Sequence, residues 1–95
     1  MKENTTTLKD TFIKALQSYQ KKNFETAQTL CYKILSIDPN HFESKTLLAN
    51  ISAKNRDFSQ AKQLLNEAVD MRPNDVSVLN NLGTACKELG ELKNF

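Results

Sequence analysis

Two stretches of the sequence resemble each other and decide the fold. Residues 23–40 read NFETAQTLCYKILSIDPN, and residues 57–74 read DFSQAKQLLNEAVDMRPN. Identical residues recur 34 positions apart: Phe24 and Phe58, Ala27 and Ala61, Leu30 and Leu64, Pro39 and Pro73, Asn40 and Asn74. A fixed period of this length, with apolar residues at helical spacing inside it, is typical of helical repeat arrays. The sequence therefore predicts stacked pairs of helices.

Five helices are predicted from the apolar spacing, and no strand pattern occurs. The expected N-caps are Thr7, Asn23, Asn40 (with Glu43 three residues later), Asp57, and either Asn74 or Asp75. Pro39 and Pro73 should end the second and fourth helices, because proline lacks a backbone donor. Gly90 should end the fifth helix in the left-handed conformation. Since the connections are short, neighbouring helices must pack antiparallel, which makes the fold class all-α.

The domain organisation follows from these helices. Residues 1–6 are expected to form a disordered N-terminal segment, and residues 7–95 a single domain. The first helix should bury one apolar face, made of Leu8, Phe12, Ala15, Leu16 and Tyr19. Cys31 and Cys86 fall on apolar helical positions without a CxxC partner, so both are interpreted as structural.

Composition argues against several function classes. Thirteen basic and eleven acidic residues give a net charge of +2, and the basic residues are spread along the chain, so neither nucleic acid nor a membrane is an expected partner. The chain has one histidine, His41, and two glycines, which provide neither a catalytic set nor a phosphate-binding loop. We therefore expect no enzyme activity, no cofactor and no metal. Because no apolar signal segment is visible at the N-terminus, a cytoplasmic location is the default expectation.

A family resemblance rests on the small residues and prolines at this period. The sequence resembles the tetratricopeptide repeat, with repeats at residues 8–40, 41–74 and 75–95, the last incomplete. The Leu-Gly signature of that family appears as Leu82–Gly83, and Leu48–Ala49 and Ala15–Leu16 are assigned to the same place. At the start of each repeat, where the family has tryptophan, this sequence has Phe12, Lys45 and Leu79. The spacing from Tyr19 to Phe24 is one residue shorter than usual, which suggests a shortened first turn. The resemblance implies a short right-handed α-solenoid of paired antiparallel helices.

The resemblance also implies where a partner would bind. In this family the first helix of each repeat lines a concave face that holds another protein or peptide. The candidate partner-binding residues on that face are Gln17, Lys21, Thr46, Asn50, Lys54, Asn80, Asn81, Thr84 and Lys87. Asn50 and Asn81 are singled out because a side-chain amide offers both a donor and an acceptor to a peptide backbone. The function is therefore interpreted as a non-catalytic scaffold for protein–protein interaction.

Two alternatives remain open. The chain could be the N-terminal repeat region of a larger bacterial enzyme, such as a glycosyl- or sulfotransferase, because first repeats of this type resemble those that open such proteins. It could instead be a structural protein that self-associates through its fifth helix. The face of that helix that a sixth helix would cover is assigned to Val78, Leu82, Cys86 and Leu89.

Overall fold

The chain folds into five consecutive α-helices, seen in a computed structural model that describes residues 5–90. The helices are α1 (Thr5–Gln20), α2 (Phe24–Ile37), α3 (Phe42–Lys54), α4 (Phe58–Met71) and α5 (Val76–Glu88). Each helix packs against the next in chain order, and α1 also contacts α3. No strand occurs in residues 5–90. The predicted all-α fold of stacked helix pairs is confirmed: α1–α2 and α3–α4 form two repeats, and α5 is the first helix of a third.

Two predicted helix starts are wrong. Helix α1 begins at Thr5, two residues before the predicted cap Thr7, so Thr5 and Thr6 are helical; residues 1–4 of the expected disordered segment lie outside the described residues. Helix α3 is capped by His41 and not by Asn40, since His41 Nδ1 accepts the Ser44 N–H at 3.2 Å. Asn40 belongs to the preceding turn, where its own N–H donates to Asp38 Oδ1 at 3.1 Å.

The other boundaries agree with the sequence. Asp57 Oδ1 accepts the Gln60 N–H and Asp75 Oδ1 accepts the Val78 N–H, each at 3.1 Å, so both aspartates satisfy a backbone donor at a helix start. Asn23 occupies the N-cap of α2, but its side chain makes no capping hydrogen bond. Helices α2 and α4 each end two residues before a proline, at Ile37 and Met71.

The turn inside each repeat sets the register of the array. Lys22, Arg56 and Gly90 lie 34 residues apart in sequence and have positive φ angles of 65°, 62° and 79°. The first turn therefore has the same length as the second, and the predicted shortening is wrong. The first repeat consequently shifts by one residue: Lys14–Ala15, and not Ala15–Leu16, matches Leu48–Ala49.

Burial supports the corrected register. Ala15 and Ala49 are both fully buried, whereas Leu16, which was predicted to be buried, is 37% exposed. The same shift places Thr11, and not Phe12, at the position of Lys45 and Leu79. A small residue at the buried position lets the two helices of a repeat approach closely, which a larger side chain would prevent.

The core consists of two clusters, one for each junction between repeats. The first contains Ala15, Ala27, Cys31, Leu47, Leu48 and Ile51, from α1, α2 and α3. The second contains Ala49, Leu65, Ala68 and Val78, from α3, α4 and α5. Each fully buried large aliphatic side chain contributes roughly 1.5–3 kcal/mol. Because α3 contributes Leu47, Leu48 and Ile51 to the first cluster and Ala49 to the second, this helix joins the two clusters.

The outer face of α5 differs from the predicted one. Val78 is buried in the second cluster and Leu82 packs against it, so residues of α3 and α4 already cover these two side chains. The exposed apolar side chains of α5 are instead Val76, Leu79 and Leu89. At Gly83, apart from the two neighbouring residues and the backbone of α5, no heavy atom of the described residues lies within 4 Å of the place where a Cβ would stand. The uncovered side of α5 is therefore the one that carries Val76, Leu79 and Gly83.

Both cysteines are free thiols. Cys31 is fully buried in the first cluster, and burial raises the pKa of its thiol to about 12. Cys86 is half-buried on α5. In residues 5–90 no helix has the length and apolar character needed to cross a lipid bilayer.

Candidate partner-binding face

The first helices of the repeats lie side by side and form one continuous face. Helix α1 contacts α3, and Asn81 Nδ2 on α5 donates to Asn50 Oδ1 on α3 at 3.3 Å. Most of the predicted binding residues are exposed, and Thr46 and Asn50 are half-buried. The structure thus brings the two predicted asparagines into direct contact.

The asparagine pair borders a small cleft between α3, α4 and α5. This cleft has a volume of about 60 Å³, and Phe58, Ala61 and Leu65 contribute to its lining. The Asn50–Asn81 bond uses one oxygen and one N–H. The chemistry of two amides still offers the Asn50 NH₂ group as donor and the Asn81 carbonyl oxygen as acceptor, which together match one peptide unit.

Two predicted hydroxyl groups already donate to the backbone. Thr46 Oγ1 donates to the Glu43 carbonyl at 3.0 Å, and Thr84 Oγ1 donates to the Asn80 carbonyl at 3.1 Å. Each hydroxyl oxygen can therefore serve a ligand only as an acceptor.

The structure places Gln17 away from the other candidates. Gln17 occupies the position that Ile51 and Ala85 occupy in the later repeats, and those two side chains are buried against the preceding helix. No helix of the described residues covers that side of α1, so Gln17 is exposed. Instead, Ile13 and Leu16 of α1 occupy the positions that Leu47 and Asn50 occupy in the second repeat.

Sequence reasoning left Ile13 out of the candidate residues and assigned Leu16 to the buried face instead of the binding face. They are 44% and 37% exposed, so the first repeat presents apolar surface where the third presents Asn81 and Thr84. Both residues are found from the sequence when the 34-residue period is extended to the first repeat with a turn of full length.

Two further clefts flank the seam between α1 and α3. At the C-terminal ends of these helices, a cleft of about 210 Å³ is lined by Tyr19, Gln20, Lys22, Phe24 and Lys54. Its two rings, Tyr19 and Phe24, lie 5.4 Å apart between centroids. At the N-terminal ends, a cleft of about 410 Å³ is lined by Leu8, Lys9, Phe12, Asp38, His41 and Glu43. The seam therefore ends in an aromatic cleft on either side.

Polar contacts hold the helices behind this face in place. Ser52 Oγ lies 2.6 Å from Gln60 Oε1, and Gln60 Nε2 donates to the Tyr32 hydroxyl at 2.9 Å, which ties α2, α3 and α4 together. Lys45 Nζ pairs with Glu67 Oε1 at 2.6 Å. The face is thus supported by a connected framework, so little order has to be gained when a ligand binds.

Residues 5–90 contain no group of three or more His, Cys, Asp or Glu side chains able to hold a metal ion. The one histidine of the sequence, His41, uses Nδ1 to cap α3, and its ring lies tilted against Phe12 with the ring centroids 5.6 Å apart. Its surroundings are those of a structural residue.

Paired antiparallel helices at a 34-residue period define an α-solenoid repeat protein. Within that class, the chain belongs to the tetratricopeptide repeat family, whose sequence pattern matches residues 18–93. No curated protein matches the sequence.

Several solved structures share the fold. A point mutant of the Thermobaculum terrenum O-GlcNAc transferase superposes with a TM-score of 0.91 and 22% identity over 99% of this chain, which spans 18% of that protein. A point mutant of MamA superposes with a TM-score of 0.84 and 18% identity. The match covers 98% of this chain and 68% of the MamA chain. The C-terminal domain of an FK506-binding protein from Plasmodium falciparum superposes with a TM-score of 0.74 and 22% identity. The match covers 85% of this chain and 54% of that domain's chain. These similarities show the fold.

Proposed function

We propose that this protein binds an extended segment of another protein along the face formed by α1, α3 and α5, and that it performs no catalysis itself. The observation that carries the proposal is the contact between Asn50 and Asn81, which aligns two amides across neighbouring repeats. Members of the tetratricopeptide repeat family are generally protein-interaction modules, which agrees with this role.

The mechanism depends on a preorganised surface. The Asn50 and Asn81 amides can pair with a peptide backbone whatever its side chains are, while Ile13 and Leu16 offer an apolar surface at the other end of the face. A helical stack that is already ordered loses little conformational entropy on binding. A modest set of contacts is then sufficient for useful affinity.

The proposal is tested with peptides selected from a random peptide library on the immobilised protein. Affinity is then measured by fluorescence anisotropy for Asn50→Ala combined with Asn81→Ala. The matched control is Gln63→Ala combined with Asn66→Ala, which removes two exposed amides from α4. We expect about a tenfold loss for the first pair, or roughly 1.4 kcal/mol, and no change for the control. Equal affinity in all three proteins, with unchanged circular dichroism, contradicts the proposal.

A second candidate role is that of a repeat module attached to a transferase domain. The supporting observation is the superposition on the O-GlcNAc transferase, of which this chain spans 18%. The reading frame after Phe95 tests it. A continuing frame with a Rossmann-type pattern supports the attached module, and a stop codon there contradicts it.

A third candidate role is self-association through α5. Val76 is 68% exposed and Leu79 is 43% exposed. No other helix of the described residues fills the space next to Gly83. Light scattering should show a mass that rises with concentration, and Val76→Lys combined with Leu79→Lys should abolish the rise. Ile37→Lys on α2 is the control, because Ile37 is also exposed but lies elsewhere. A wild-type mass independent of concentration contradicts this role.

A further inference from the structure

The second repeat junction contains a complete charge pair. The Arg56 guanidinium lies over the Phe58 ring, 5.1 Å from its centroid, and its Nη2 atom lies 3.7 Å from Glu88 Oε1. These three residues come from the α3–α4 turn, the start of α4 and the end of α5. A cation, an aromatic ring and a carboxylate thus meet where one repeat touches the next.

The first repeat junction has residues at the equivalent positions but a different charge. Lys22, Phe24 and Lys54 stand 34 residues before Arg56, Phe58 and Glu88. All three of the earlier residues line the 210 Å³ cleft. The cation and the ring are kept, but the third position holds a second cation where the later junction holds a carboxylate.

Among the described residues, no carboxylate lines this cleft. The remaining lining residues are Tyr19 and Gln20, which carry no charge. Neither Lys22 nor Lys54 forms an ion pair with another described residue, whereas Arg56 does. Two ammonium groups beside one cleft repel each other, so an anion that enters between them gains attraction from both.

The floor of the cleft indicates what accompanies the anion. Tyr19 stands where the second junction has Ala53, so the first junction has an additional ring, packed against Phe24 at 5.4 Å. Two tilted rings form an apolar surface that favours an aliphatic or aromatic side chain. The cleft volume of about 210 Å³ suits a few side chains and not a folded domain.

We propose that this cleft binds an acidic peptide segment, with a carboxylate between Lys22 and Lys54 and a neighbouring apolar side chain on the Tyr19 and Phe24 rings. The ligand then supplies the charge that Glu88 supplies at the second junction. This inference rests on the proposed function, because the cleft opens at the ends of α1 and α3 and so continues the partner-binding face. The low net charge of +2 favours a peptide over a nucleic acid.

The test uses the same random peptide library and three variants. Lys54→Glu places at the first junction the carboxylate that the second junction already has, so it should neutralise Lys22 and close the site. Lys33→Glu makes the same change of charge at an exposed residue of α2 away from the cleft. The third variant is Asn50→Ala combined with Asn81→Ala.

We expect the selected peptides to be enriched in Asp or Glu next to an apolar residue. Their affinity should fall at least tenfold in Lys54→Glu and less than about twofold in Lys33→Glu, and added salt should weaken binding to wild type. Peptides without acidic residues, or acidic peptides that bind Lys54→Glu and wild type equally, overturn the inference. Peptides of either kind that lose affinity for the variant with Asn50→Ala and Asn81→Ala would still support the proposed function. In that case only the inference about the cleft is overturned.

Two other outcomes are informative. Failure to select any peptide contradicts both proposals. Binding of single-stranded RNA that is tighter than that of any selected peptide, and that is lost in Lys54→Glu, overturns the assignment to a peptide.

Discussion

Lys22 and Arg56 occupy the same position of two successive repeats and adopt the same left-handed backbone conformation, with φ angles of 65° and 62°. Each N–H donates to a carbonyl three residues earlier, Tyr19 at 2.9 Å and Ala53 at 3.0 Å. Gly90 repeats the arrangement with φ 79° and a 2.9 Å bond. Left-handed backbone costs a residue with a Cβ roughly 1–2 kcal/mol, so the first two turns are strained and the third is not.

Replacement of Lys22 by glycine should therefore stabilise the protein. We expect the free energy of unfolding in urea to rise by about 0.5–1 kcal/mol, because the released strain exceeds the added flexibility of the unfolded chain. Lys21→Gly is the control, since Lys21 does not have a positive φ and should only lose stability. If Lys22→Gly destabilises as much as Lys21→Gly, the left-handed turn is not as described.

Two buried serines of α3 should respond in opposite directions to replacement by alanine. Ser44 Oγ is buried and has no hydrogen-bond partner among residues 5–90, whereas Ser52 Oγ lies 3.0 Å from the Leu48 carbonyl and 2.6 Å from Gln60 Oε1. Ser44→Ala should raise the free energy of unfolding by about 1 kcal/mol, and Ser52→Ala should lower it by about 1–3 kcal/mol. Thermal and urea unfolding measure the stability of both variants. A change of the same sign in both would contradict the prediction.

The two thiols should differ in reactivity. A thiol reagent should label Cys86 in the native protein and Cys31 only after unfolding, because Cys31 is fully buried. Burial also raises the pKa of Cys31 from 9.0 to about 12, so the unfolded chain loses this proton first and the contribution of Cys31 to stability falls as pH rises between these values.

Unfolding in urea measures this pH effect. The stability difference between wild type and Cys31→Ala should shrink from a pH below 9.0 to a pH between 9.0 and 12. Mass spectrometry of the labelled peptides identifies the reactive thiol. Equal labelling of both cysteines in the native state is incompatible with the buried position of Cys31.

The fold was largely predictable because the period carries so much information. Phe24 and Phe58, or Pro39 and Pro73, fix the helices and their ends without any knowledge of tertiary structure. The first repeat was misaligned by one residue because the Tyr19–Phe24 spacing was interpreted as a shortened turn, and the apolar Leu16 completes a plausible buried face in that alignment. The positive φ of Lys22 and the burial of Ala15, which the sequence does not reveal, show that the turn has its full length.

The helix cap at His41 was missed for a similar reason. Asn40 is the better N-cap by residue type, but Asp38 accepts its N–H and holds it in the turn before α3. The imidazole of His41 then takes the capping role. Competition between neighbouring polar groups of this kind is settled by the turn geometry and not by propensity.

The candidate site was predictable in part. The Asn50–Asn81 contact follows from the repeat register, and so does the contrast between Lys54 and Glu88. The aromatic floor beside Lys54 was not predictable, because Tyr19 and Phe24 belong to different helices and their rings meet only through the turn.

The central claim is that the face formed by α1, α3 and α5 holds the partner. Chemical-shift mapping on the isotopically labelled chain with a library-selected peptide tests it most directly. We predict perturbations along α1, α3 and α5 that include the side-chain amides of Asn50 and Asn81. Perturbations confined to the exposed residues of α2 and α4, such as Tyr32 and Gln63, would contradict the account.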